Sequence, residues 1–312
     1  MAMSASIFID GEAGTTGLEI RERLEARSDL ELILLGDRRR DVAARREALN
    51  GADAVILCLP DDAAKEAVAM IENPAVRVID ASTAYRVDPA WTYGFAEMAP
   101  GQREKIAGAT RVSNPGCYPT GFIGLVRPLV SAGIIPAGWP VTVNAVSGYS
   151  GGGKAMIAEF EAGGAGAFRA YGLSLKHKHV PEMTLHTGLE RPVLFAPAVA
   201  AYRQGMLVEV PLQLGALPGS PSVEVVHGAL AEAYADCRFV EVVELEESEA
   251  MTGIDPEGLN GTNRMRLHVF GDRAVEQVRL VALLDNLGKG ASGAAVQNLN
   301  LMLGLDEGVG LN

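Results

Sequence analysis

Cysteine is scarce in this chain of 312 residues: Cys58, Cys117 and Cys237 lie far apart and never in a CxxC spacing. An odd, scattered set supplies neither a disulfide framework nor a cysteine zinc site, so each thiol is judged singly. Long apolar runs are missing too. The strongest, AVILCLP, stops at Pro60, well short of the ~18 residues a membrane helix needs. The start, MAMSASIFID, has no basic segment or cleavage-type spacer, so it does not read as a signal peptide and the expected location is cytoplasmic. Positive charge is in deficit: the formal net charge of −12 opposes phosphate backbones and leaves no footprint for nucleic acid. Local basic clusters remain able to hold one small anion.

What is present is an ordinary globular composition, 48% hydrophobic and 21% charged, over a length that favours about two domains. The first part alternates strand-like and helix-like segments: SIFID, a helical pattern over 14–26, LELILLG, a charged helix from Asp41, ADAVILCLP, a helix over 61–71, and VRVIDAS. Nearly all-apolar strands separated by helices predict a parallel sheet covered on both faces, a doubly wound Rossmann-type half. After Gly116 the texture changes. A helix is expected over 119–132, then strands at WPVTVNAVSGYS, PVLFAPAVAAY, GMLVEVPLQL, MRLHVFG and VEQVRLVALLD, with a helix in SPSVEVVHGALAEAYAD. Strands in succession with few helices between them predict an α+β domain built on a mixed, largely antiparallel sheet. The tail, GASGAAVQNLNLMLGL, is helical in spacing.

IDGEAGTTGLEI sets Gly11, Gly14 and Gly17 between the first strand and the first helix, with Thr15 and Thr16 in the same turn. Glycines there let backbone amides and a helix N-terminus approach a pyrophosphate, although a tight strand-to-helix turn needs them as well. Asp37 lies 20 residues past Gly17, where an acidic residue takes a ribose hydroxyl, but Arg38, Arg39 and Arg40 follow at once. Guanidinium groups suit a 2′-phosphate, so NADP is expected over NAD with Arg38 as the candidate contact. The competing reading is a solvated start to the next helix. Cys58, Leu59 and Pro60 end the third strand and Ser82 ends the fourth, at the carboxyl edge where open α/β sheets bind ligands. The Cys58 thiol itself reads as a small buried hydrophobe.

SNPGCYPTG follows a fifth strand, TRVSN, and puts Cys117 at a helix start, where unpaired amides favour the thiolate. Position alone leaves Cys117 balanced between nucleophile and filler. YGLSLKHKHVPEM adds His177, His179 and Glu182, a pairing of thiol, imidazole and carboxylate that suits an activated nucleophile. No further cluster offers a completing ligand, so no metal is expected. His186, His227 and His268 read as ordinary, and Tyr171 reads equally as a site residue or as core.

Together SNPGCYPTG, IDGEAGTTGLEI, SGYSGGGK, LKHKHVPEM and DNLGKGASGAAVQNLN resemble the N-acetyl-γ-glutamyl-phosphate reductases of the shorter bacterial form, within the aspartate-semialdehyde dehydrogenase superfamily. The resemblance implies NADPH-dependent reduction of a small acyl phosphate through a thioester on Cys117, in arginine biosynthesis, with His177 or His179 as general acid/base, His177 preferred, and Glu182 orienting or binding. It implies substrate contacts from Ser147, Gly148 and Ser150, with charge from Lys154, against the reading of SGYSGGGK as a flexible connector; Asn114, with Cys117, is a candidate by position alone for donating to the substrate's developing oxyanion. In the tail, Asn286 and Gly290 are expected on the cofactor, with Lys289 in an anion-facing turn. The domains expected are 1–116 for NADP, completed by a tail helix over 287–312, and 117–286 for catalysis and oligomerisation. A homodimer or homotetramer is implied. The rival readings are a reductase of aspartyl phosphate or of a carrier-bound aminoadipyl phosphate, a non-catalytic NADP-binding regulator, and a thiol hydrolase, which the nucleotide-type first half argues against.

Overall fold

The computed structural model describes residues 4–312; the side chains of Arg39 and Arg40, and the phosphate contacts read for them, lie outside that description. Two compact units organise the chain. One takes residues up to Ala96, Pro100–Gly116 and Ala291–Asn312, the other Glu97–Ala99 and Cys117–Gly290.

The first unit runs through β1 (Ala5–Asp10), α1 (Thr15–Glu25), β2 (Leu30–Ile33), α2 (Val42–Gly51), β3 (Ala54–Leu57), α3 (Asp61–Met70), β4 (Arg77–Asp80), β5 (Thr92–Tyr93), α4 (Gln102–Gly108) and β6 (Arg111–Ser113). Its six strands pair in parallel in the order β2-β1-β3-β4-β6-β5. Along β1, Ile7 and Ile9 join a core with Ile20 and Leu24 of α1, whereas Phe8 enters a second core with Leu49 of α2 and Met70 of α3. Successive strand residues point to opposite faces, so a strand apolar at every position is buried on both. The chain leaves β1 towards β2 on one side and returns to β3 on the other. That reversal opens a crevice at the carboxyl ends of β1 and β3, the place where such sheets take ligands. β2 ends at Ile33, short of the expected 30–36, because Gly36–Arg40 winds into a 3-10 turn entered at Gly36 with φ 53°.

The second unit contains α5 (Cys117–Ser131), β7 (Thr142–Gly148), α6 (Gly153–Glu161), β8 (Phe168–Ala170), α7 (Val180–Thr187), β9 (Leu194–Ala200), β10 (Met206–Gln213), α8 (Val223–Tyr234), β11 (Val240–Val242), α9 (Leu245–Glu249), β12 (Met265–Asp272) and β13 (Gln277–Leu284). These strands form one sheet, β11-β12-β13-β10-β7-β9-β8, antiparallel except at β11–β12 and β7–β9. The central helix α5 lies on it, buried along almost its whole length. A Cβ on Gly121 would stand 2.8 Å from Val208 and one on Gly124 2.6 Å from Met265, so these two glycines let α5 approach β10 and β12. SGYSGGGK is not a flexible connector: β7 runs to Gly148, a 3-10 turn covers Tyr149–Gly152, and α6 begins at Gly153.

A π-turn over Gly288–Ser292 leads into α10 (Gly293–Met302), whose Val296, Leu299 and Met302 complete the core around Ile7 and Ile20 of the first unit. Each such buried side chain contributes roughly 1.5–3 kcal/mol relative to exposure. No described helix is long and apolar enough to cross a membrane.

Candidate active site

In the first unit, Gly11 turns the chain out of β1 with φ 93°, in the left-handed region. A Cβ there would collide with the carbonyl oxygen of Cys58, so this glycine brings the turn after β1 against the end of β3. A Cβ on Gly17 would in turn collide with the Gly11 carbonyl oxygen, so helix and turn also meet backbone to backbone. Gly14 caps α1 with no side-chain hydrogen bond, and the first turn, including Thr15 and Thr16, carries no acidic residue. The leading amides of α1 therefore keep their partial positive charge for an anion. Asp10 is tied to Arg45 at 2.8 Å, and Glu12, within the turn itself, pairs with Arg21 at 3.4 Å. This cradle fits the pyrophosphate of a dinucleotide. Arg38 is exposed in the 3-10 turn after β2. Burial and the charges of Asp80 and Asp10 push the Cys58 thiol up to about 12, which makes it inert as a nucleophile. Ser82 donates to Asp80 at 2.6 Å and receives the Ala84 amide, while Leu59 and Pro60 lead into α3.

Asn114, three residues before Cys117, is clamped within the same unit. Its amide donates to the Asp80 carbonyl at 2.7 Å, its own carbonyl accepts from Arg86 at 2.9 Å, and its Nδ2 donates to the Ala291 carbonyl at 2.9 Å. Its Oδ1 accepts from Asn298 at 3.1 Å. Asn298, fully buried in α10, also donates to the Gly94 carbonyl at 2.9 Å. Neither Arg86 nor Asn298 was reached from the sequence. For Asn298 the one signal was a polar residue amid the apolar spacing of the tail helix; for Arg86 there was none.

In the second unit, half-buried Cys117 is the first residue of α5. A Cβ on Gly290 would stand 2.8 Å from the Cys117 Cβ, so only glycine fits beside the Cys117 backbone. Asn286 accepts the Gly205 amide at 2.8 Å and donates to Ser150 at 3.0 Å, so its side chain clasps the start of β10 to the 3-10 turn. Ser147 donates to the Gly148 carbonyl, and Gly148 abuts the Arg203–Gln204 backbone, where a Cβ would stand 2.6 Å away. Lys154 is exposed at the start of α6. Lys289 corrects its sequence reading: instead of facing an anion, its ammonium is buried against Glu97 at 2.7 Å.

His177 precedes α7, His179 caps it, and Glu182 sits buried in its first turn. The His179 amide donates to Nδ1 of His177 at 3.2 Å, so a neutral His177 carries its proton on Nε2. Burial, and then the Lys178 charge, hold its pKa below the ordinary imidazole range, which maintains that neutral form. The two rings lie 4.7 Å apart between centroids. Tyr118 packs against both, and its hydroxyl donates to the Ala198 carbonyl at 3.0 Å while accepting from Tyr171 at 3.1 Å. The Cys117 charge contributes to raising both phenols, so thiol, phenols and imidazoles share one neighbourhood. The sequence placed Cys117 at the helix start and the histidines together; Tyr118 went unread although it adjoins the cysteine.

The family model described as the semialdehyde dehydrogenase NAD binding domain matches residues 6–109, and that described as the dimerisation domain matches 117–286. An N-acetyl-gamma-glutamyl-phosphate reductase from Brucella ovis is 58% identical over 309 residues, 97% of this chain and 100% of its own length. One from Burkholderia ambifaria is 55% identical, covering 97% of this chain and 98% of its own. Among solved structures, an aspartate semialdehyde dehydrogenase from Francisella tularensis matches with a TM-score of 0.72 at 12% identity, covering 96% of this chain and all of its own. At that identity the likeness speaks for the fold. The chain belongs to the semialdehyde dehydrogenase family, a family of oxidoreductases with a nicotinamide-cofactor domain, and stands with its N-acetyl-gamma-glutamyl-phosphate reductases.

Proposed function

We infer that the chain reduces N-acetyl-γ-glutamyl phosphate to N-acetylglutamate semialdehyde and phosphate, with NADPH and through a thioester on Cys117. The observation that carries this reading is the near full-length identity of 55–58% to reductases of that name. The first unit with the tail takes the cofactor on the Gly11–Gly17 cradle, at the edge formed by Cys58, Leu59, Pro60 and Ser82, with Arg38 on the 2′-phosphate. The bound nicotinamide supplies hydride.

Cys117 Sγ attacks the acyl carbon; the C–S bond forms, the C–O bond to phosphate breaks, and the thiol proton leaves with phosphate by way of an imidazole. Because Nδ1 of His177 already accepts an amide, its Nε2–H is the donor for the acyl oxygen. His179, with Glu182, then carries the proton. After reduction at the thioester carbon, the oxyanion on Cys117 collapses, the C–S bond breaks, and a proton from solvent restores the thiol. Asn114, Ser147, Gly148, Ser150 and Lys154 are read as the substrate contacts, and Asn286 and Gly290 as contacts to the cofactor. A homodimer or homotetramer accords with a dimerisation domain over 117–286.

A reverse assay with phosphate tests substrate and cofactor together. N-acetylglutamate semialdehyde and NADP+ should give the highest kcat/KM; preference for aspartate semialdehyde, or for NAD+, would overturn that part. Cys117→Ser should lower turnover by about 10³-fold or more while NADP+ affinity stays put. Unchanged turnover in that variant would end the thioester route.

A further inference from the structure

We propose that Tyr118 is a positioning residue for the reaction, the pin that sets both histidines relative to the nucleophile's helix. This rests on the reading of His177 and His179 as the groups that bind and move protons. The stretch from Tyr171 to His179 has no regular secondary structure beyond turns, and Gly172 and Leu175 both take positive φ, 66° and 61°. An irregular backbone does not fix its side chains as a helix or strand does, so the imidazoles depend on what they pack against. His177 packs against Phe195, Tyr171 and Tyr118, and of these rings Tyr118 is the one that also meets His179. The Tyr118 ring stands edge-on to His177 at 6.3 Å and tilted to His179 at 6.0 Å, and edge-on to Phe195 at 5.1 Å, geometries that aromatic quadrupoles favour.

Tyr118 is itself immobilised. It is the second residue of α5, its side chain is buried, and its hydroxyl is held at both ends, donating to the Ala198 carbonyl of β9 and accepting from Tyr171. Burial raises both phenols well above working pH, so both keep the protons that this relay needs. The residue that follows the thiol in sequence thus ties the imidazole loop to the helix that presents the thiol.

The test uses the full-length enzyme with Tyr118→Phe and Tyr171→Phe, read by steady-state kinetics, Cys117 alkylation by iodoacetamide and NMR of histidine labelled at Cε1. Losing one buried hydroxyl's hydrogen bonds should lower kcat about tenfold in Tyr118→Phe, and less in Tyr171→Phe. Substrate KM and the alkylation rate should stay within about twofold, since the thiol's own helix start is unmoved. The His177 and His179 signals, single in the wild type, should broaden or double in Tyr118→Phe. A folded Tyr118→Phe enzyme with wild-type kcat and unaltered histidine spectra would overturn the proposal. So would a joint fall in kcat and alkylation rate, which would mean a general loss of the helix start. If the wild type lacks the reductase activity, the functional reading fails, and the histidine spectra still decide the positioning.

Discussion

Lys289 is the clearest case of a residue whose role its neighbours in sequence conceal. In DNLGKGAS it looks like a charge offered to an anion, yet its side chain is 1% exposed, paired with a Glu97 carboxylate at 0%, and its ammonium lies 5.6 Å from the centre of the Phe239 ring. The partner comes from a position 192 residues earlier, which no local pattern could announce. A buried pair is costly to break, because the survivor is left charged in a low-dielectric interior. Lys289→Met should therefore destabilise the fold by about 3–5 kcal/mol, and Glu97→Gln added to it should recover most of that loss. Urea unfolding of both variants checks this; a double variant as unstable as the single would show that the pair does not act as a unit. The same distance effect hid Asn298, whose partners Gly94 and Asn114 are about as remote. The place of Cys117 at a helix start and the closeness of the two histidines were legible because each is written locally, in a Pro-Gly turn before an apolar helix and in an HxH segment.

At the scale of elements, the long strands were legible for a physical reason. β3 reads AVIL because all four residues are buried, and a strand covered on both faces has no polar position to blur the pattern. Short elements were not. β5 has two residues and β11 three, and each is a strand only through its neighbour, Thr92 opposite Val112 and Val240 opposite Met265. β8 has three residues and none of them is buried, so no apolar run marks it. The glycine turn before α1 was legible as spacing, but the division of labour among its glycines was not. Gly17→Ala would force a Cβ to 2.9 Å from the Glu12 Cα and into the Gly11 carbonyl, whereas at Gly14 the nearest atom lies 3.3 Å away. Overpacking of this kind costs about 1–3 kcal/mol. Gly17→Ala should lower the melting temperature and weaken binding of the nicotinamide cofactor, and Gly14→Ala should do so far less, as followed by calorimetry and nucleotide fluorescence titration. Equal losses in the two would place the effect in the amides' approach to phosphate rather than in the contact between turn and helix.

For the molecule as a whole, acid acts in opposing directions. With a net charge of −12, protonation first relieves self-repulsion. Two imidazoles oppose it. His177 and His268 both have pKa values below the ordinary range, chiefly through burial, with Lys178 adding to the first and Arg266 to the second. Between the ordinary imidazole pKa of about 6.5 and those lowered values, the unfolded chain binds protons that the folded chain refuses, so stability falls as pH falls through that window. Asp29, lowered mainly by its hydrogen bond from Arg27, and Asp53, lowered mainly by the Ser6 amide, lose their contributions only at more acid pH. Asp80 has the opposite sign: burial raises its pKa, so the folded state gains as it takes up a proton. The first loss on acidification therefore belongs to the imidazoles. His268 isolates it, since it stands outside the proposed site, 1% exposed, stacked on Phe270 at 5.9 Å and 3.5 Å from the Ser248 hydroxyl. Arg266 opposes its protonation while Glu247 and Glu241 favour it. Calorimetry at intervals from about pH 7.5 to 5.5 should show the wild-type melting temperature falling, and His268→Leu should retain only about half of that fall, His177 accounting for the remainder. A variant with the full wild-type slope would assign the acid sensitivity to groups other than the buried histidine of β12.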